Sequence, residues 1–162
     1  MEELKIIEDF YGDEIAKRSG VKYISHIHEG LQVLDQINAR EVSKRAYCVH
    51  PIFQVPAYLR RTIKEDIYRK LDPEVILLAM EYRNKANAYV CRERTDHFEM
   101  KDMPHMVLPE VRDMLIADKV QNYKDFLKYH KGTHKRSNQL DRYFNMWFKH
   151  LNINYNDFKI QD

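Results

Sequence analysis

The chain has 162 residues, 44% apolar and 32% charged, a size and balance that fit one water-exposed folded unit, and no run approaches the roughly 20 apolar residues of a membrane span. A formal net charge of +2 does not announce a nucleic-acid partner, although basic residues cluster at 17–22, 60–70 and 128–136. The start, Met1-Glu-Glu-Leu-Lys-Ile, lacks a basic-then-apolar signal layout, and Cys48 and Cys91 match no metal or redox spacing, so the expectation is a cytoplasmic chain with free thiols.

With four glycines and five prolines the chain is poor in hairpin signals, which predicts an all-α, single-domain helical bundle over residues 1–152 and a loose polar tail over 153–162. Leu4, Ile7, Phe10, Tyr11 and Ile15 recur at spacings of three and four, predicting a first helix over 2–18 that stops at Gly20. A second helix is expected from about Ser25, with Ile27, Leu31, Leu34 and Ile37 on its apolar face and His26 in its first turn, at the edge of the core. Over 40–53, Val42, Ala46, Val49 and Phe53 keep helical spacing. Proline disfavours helical backbone in the residue before it, so His50 is expected where this helix stops or kinks at Pro51. A basic amphipathic segment at 57–70 follows. Asp72 as cap and Pro73 in the first turn then open a helix to about Cys91, with Val75, Leu78, Ala79, Tyr82, Ala86 and Tyr89 as its stripe. Residues 92–109, charged and interrupted by Pro104 and Pro109, read as a long loop and a candidate lid. The helix from Glu110 to about Lys128 carries Asp118 and Asn122 four residues apart on one side. Beyond a turn at Lys131-Gly-Thr-His, a last helix over 138–151 places Leu140, Phe144, Trp147, Phe148 and Leu151 on a core face.

Of the eight histidines, His97, His130, His134 and His150 sit in polar company and read as exposed. His26 and His50 lie at helix edges that a bundle can bring together. A shared metal site and two satisfied edge histidines are both open readings of that pair.

Three stretches carry a family resemblance. Lys17-Arg-Ser-Gly-Val-Lys-Tyr-Ile-Ser-His26 resembles the opening motif of the alarmone hydrolases, with a basic pair, a glycine, a tyrosine and a metal-binding histidine at the same spacing. Leu115-Ile-Ala-Asp-Lys-Val-Gln-Asn-Tyr-Lys-Asp125 is similar to that family's leucine-alanine-aspartate helix, and Arg136 through Trp147 resembles the tail of its small, hydrolase-only members. The resemblance implies an HD-superfamily phosphohydrolase fold with His26, His50 and Asp118 as ligands of a divalent metal, usually manganese, with iron or zinc as alternatives. It further implies a phosphorylated nucleotide, guanosine tetraphosphate (ppGpp) in particular, held by Lys17, Arg18, Tyr23, Lys119 and Asn122.

The sequence also departs from that pattern. Pro51 stands where the family's second histidine is followed by a metal-binding aspartate, and Gln54 and Val55 stand where it has the acid pair that readies water. The first change leaves a two-histidine, one-carboxylate set, which suffices for several divalent metals. Glu29, three residues after His26, is a candidate for the missing oxygen, or else a solvated helix glutamate. The second change goes deeper, since an amide accepts no proton near neutral pH and valine offers nothing. An ion that lowers the pKa of water towards about 7 lessens the need for a base. The catalytic base is therefore unassigned, with Gln54 in its expected place, and the metal itself is not required by the sequence. Two functions follow: a metal-dependent nucleotide phosphohydrolase, or a degenerate HD domain that captures a nucleotide or signalling ligand without cleaving it. Arg83 and Lys85 either reach the same ligand or form a solvated face. A nucleic-acid surface over 60–70 and 128–136 is a third, weaker reading.

Overall fold

Two helices buried on all sides form the centre of the molecule. The computed structural model describes residues 1–17, 19–54, 65–90 and 99–161. They form α1 (Glu2–Tyr11), α2 (Tyr23–Gln36), α3 (Glu41–Gln54), α4 (Glu65–Lys70), α5 (Pro73–Val90), α6 (Pro109–Asp125) and α7 (Ser137–Leu151), with a π-helical turn at Phe126–His130 and 3₁₀ turns at Met100–Asp102 and Tyr155–Asp157. Among the described residues there is no β-strand, only an isolated antiparallel bridge between Ile15 and Lys22. The fold is an all-α single-domain bundle, and no described helix is long and apolar enough to cross a membrane.

α3 packs against α1, α2, α5 and α6, and α6 against α2, α3, α5 and α7. A helix covered on every side needs apolar side chains all round rather than one stripe. Accordingly Ala46 to His50 are buried without a break in α3, and Met114 to Gln121 without a break in α6. The polar members of these runs, His50, Asp118, Lys119 and Gln121, cannot turn to solvent and must find partners inside. Trp147, Phe144, Phe148 and Leu151 of α7 pack into the same core, as their spacing predicts.

Several boundaries differ from the sequence expectation. Gly12 takes φ +51°, in the left-handed region that favours glycine, and ends α1 at Tyr11 rather than near Gly20. Gly20, at φ +71°, instead turns the following loop, which closes on itself through Ala16 N donating to Val21 O (2.8 Å) and Tyr23 N donating to Glu14 O (3.1 Å). α2 accordingly begins at Tyr23. The helix does not stop at Pro51: α3 continues through Gln54, so His50 lies inside it. The cap at Asp72 is present, its Oδ1 accepting from Glu74 N at 2.9 Å. Much of the basic segment over 57–70 and of the expected lid over 92–109 lies outside the described residues.

The tail is not loose. Ile153, Tyr155, Phe158 and Ile160 pack against the core. Two glutamines one turn apart on α2 hold its backbone by their amides: Gln36 donates to Lys159 O (2.8 Å) and accepts from Lys159 N (2.9 Å), and Gln32 donates to Gln161 O (3.1 Å) and accepts from Gln161 N (2.9 Å). Each side-chain amide thus pairs with a main-chain residue as a neighbouring strand would, a use that polar composition alone does not reveal.

Candidate metal centre and its cavity

α2, α3 and α6 bring His26, His50 and Asp118 together, with one ligand atom from each lying within 4.8 Å of the others. His26 Nε2 is 3.4 Å from His50 Nε2 and 3.6 Å from Asp118 Oδ1. Donors that share one ion at about 2.1 Å stand about 3.0 to 3.4 Å apart, a separation that the His26–His50 pair has and that the His26–Asp118 pair slightly exceeds. These three residues are able to hold a metal ion.

The protons on both rings are fixed by their neighbours. His50 Nδ1 lies 2.6 Å from the Tyr47 carbonyl, which can only accept, so Nδ1 carries the hydrogen and Nε2 keeps its lone pair. His26 Nδ1 lies 2.5 Å from Gln121 Oε1. The Gln121 amide nitrogen donates to Glu29 Oε2 and Asp125 Oδ2, both at 2.9 Å, which turns its oxygen towards His26 and makes that ring a donor at Nδ1 as well. Lys124 donates to Glu29 Oε1 at 2.6 Å and completes the chain. Burial, and then the neighbouring His26, push the His50 pKa down to about 3, so the ring is neutral over the physiological range.

Asp118 is fully engaged. Oδ1 accepts from Asn122 Nδ2 (2.9 Å) and Oδ2 from Lys119 Nζ (2.8 Å). Burial alone would raise its pKa, but Lys119, His26 and His50 hold it down at about 2, and the carboxylate stays charged. Lys119 is itself buried against the rings of Trp147 and Tyr143, 5.0 and 5.7 Å from their centroids. The Tyr82 hydroxyl is held protonated by burial and by Asp118.

The floor of the site depends on a glycine. A Cβ on Gly30 would lie 2.1 Å from the Tyr47 hydroxyl and 2.3 Å from its ring. Only glycine lets this ring slide beneath α2, where it stands 4.8 Å from His50, with its hydroxyl 3.3 Å from His26 Nε2.

Beside the triad opens a cavity of about 730 Å³, lined by His26, Asp118, Lys119, Asn122, Gln54 and Tyr82 at one end and by Tyr11, Tyr23, Phe126, Leu140, Tyr143 and Phe144 along an aromatic wall. Gln54 is one helical turn beyond His50 and faces this space. Tyr23 stacks on Tyr11, with centroids 5.5 Å apart and an interplanar angle of 26°.

Of the other expected site residues, some are placed differently. Glu29 is buried and bound to Lys124 and Gln121, so it is neither a solvated glutamate nor a member of the triad. Lys119 and Asn122 both line the cavity, as expected of them, and both also donate to the Asp118 carboxylate. Lys17 is exposed in the loop after α1 and does not line the cavity; Arg18 lies outside the described residues. Lys22, paired with Asp13 at 2.7 Å, lines it instead. Arg83 and Lys85 are half-buried and do not line the cavity, Lys85 being paired with Glu81, and Val55 and His97 lie outside the described residues. His130, read as exposed, is half-buried in the π-helical turn and borders the cavity.

Gln121, Tyr47, Gly30 and Lys22 were missed by sequence reasoning. Gly30 carried a signal, since a glycine inside a helix needs a packing reason. Comparison of the chain with protein-family models, curated proteins and solved structures gives no match.

Proposed function

We propose that this protein is an HD-type phosphohydrolase domain that holds one divalent metal on His26, His50 and Asp118 and acts on a phosphorylated nucleotide. The observation that carries the reading is the facing pair of ring nitrogens. Both Nδ1 atoms are committed to acceptors, so two lone pairs meet at 3.4 Å, beside a carboxylate held ionised. Such an arrangement favours a cation between the donors, and burial disfavours a proton on His50 as the substitute for it. The donor set suits manganese, iron or zinc.

When bound, the ion supplies Lewis-acid polarisation of a phosphoryl oxygen. The chain's own residues then have distinct tasks. His26, His50 and Asp118 set the position of the phosphorus relative to the wall. Lys119 and Asn122 keep Asp118 ionised and oriented. The Tyr11–Tyr23 stack and Phe126, with Tyr143 and Phe144, offer flat apolar surface for a base. Gln54 occupies the place of the expected base and orients water by hydrogen bonding without taking its proton.

Gln54 also favours a second reading, in which the pocket captures a nucleotide and does not cleave it. Manganese-loaded protein incubated with a nucleotide panel that includes guanosine tetraphosphate separates the two. Product release that disappears in His26→Ala and Asp118→Ala supports the hydrolase. Tight binding with no product under manganese, iron and zinc supports capture, and neither binding nor product refutes both.

A further inference from the structure

We infer that Pro51 is a positioning residue: by withholding the helical donor of the Tyr47 carbonyl, it leaves that oxygen to His50 and so turns the His50 Nε2 lone pair into the candidate metal centre. The purpose of this device rests on the metal reading above, whereas its geometry does not.

In an α-helix the carbonyl of residue 47 receives the N–H of residue 51. Here residue 51 has no N–H, and its ring pushes against that same carbonyl. Proline is among the most destabilising residues a helix interior can hold, yet α3 runs on through Gln54. Tyr47 is fully buried, so its carbonyl cannot exchange the lost bond for water, and a buried unpaired carbonyl is costly.

His50 supplies the replacement, with Nδ1 at 2.6 Å from the oxygen, three residues back along the same helix. Tyr47 and Tyr82 hold the imidazole between them, each with its centroid 4.8 Å away, so the ring stays in the plane that aims Nε2 at His26 and Asp118. The proline thus converts a main-chain acceptor into the partner that fixes a histidine tautomer, the task a carboxylate or carbonyl performs behind many metal-binding histidines.

The test is Pro51→Ala, which restores an N–H in a helix-favouring residue. Long-range ¹H–¹⁵N spectra of the metal-free protein report which ring nitrogen carries the hydrogen, and manganese affinity is measured separately. In the native chain both His26 and His50 should show the hydrogen on Nδ1. In Pro51→Ala, His50 should gain a clear Nε2–H population while His26, held by Gln121, does not change. Manganese binding should weaken about tenfold or more, with no loss of melting temperature. A His50 that stays wholly Nδ1–H overturns the inference. A clear fall in melting temperature also overturns it, because it makes Pro51 a packing residue. If the native chain binds no manganese but the His50 tautomer still shifts, the inference about Pro51 stands and the metal reading fails.

Discussion

His50 is a titratable side chain sealed in the core, and its surroundings make a signed statement about acid. Its pKa is pushed from an ordinary 6.5 down to about 3, first by burial and then by His26. Between those values the unfolded chain takes up a proton that the fold refuses. Metal-free protein should therefore be most stable above pH 6.5 and lose stability as pH falls towards 3, with a slope of about 1.4 kcal/mol per pH unit from this group. Denaturant titrations across that range check it, and His50→Leu should flatten the slope. Single residues also show what the sequence could carry. His26 and His50 were legible as a pair of histidines at helix edges, whereas Asp118 joined them only through the family resemblance. Gln121 was not legible, since its meaning comes from a histidine 95 positions away. Lys119, which the resemblance casts as a phosphate contact, is packed against Trp147 and paired with Asp118, a placement that no local pattern reveals.

The helices explain why helical spacing worked for the core and failed at some boundaries. α7 faces the core on one side, and its apolar stripe located it closely. α3 and α6 are covered all round, and rules for stops are local: the proline rule allowed an end at Pro51 because it had no access to the side chain that replaces the missing donor. Gly30 shows how one helix shapes its neighbour. Gly30→Ala raises local helix propensity, yet its Cβ would overlap the Tyr47 ring and force it away from His50. The expected result is a net destabilisation of about 1–3 kcal/mol by denaturant midpoint, with weakened metal binding. A neutral or stabilising Gly30→Ala would show that the close approach of Tyr47 is not required.

Across the whole molecule, the tail stitched onto α2 joins the far end of the chain to the helix that carries His26. Removing residues 153–162 uncovers apolar side chains and the amides of Gln32 and Gln36, and should cost about 2–4 kcal/mol. Thermal and denaturant unfolding of the truncated chain check this, and unchanged stability would restore the loose tail that polar composition suggested. The fold class was legible from the shortage of turn residues and the length of the periodic segments. The binding chemistry was legible only in part, because the cavity is assembled from α1, α2, α3, α5 and α6, the π-helical turn and α7, and no local window contains it. The most direct measurement is titration of the metal-free protein with manganese, followed by elemental analysis of the complex. One ion per chain, with binding lost in His26→Ala, His50→Ala and Asp118→Ala while each variant stays folded, is the expected result. A folded native protein that takes up no manganese, iron or zinc, or that binds equally well without Asp118, would contradict it.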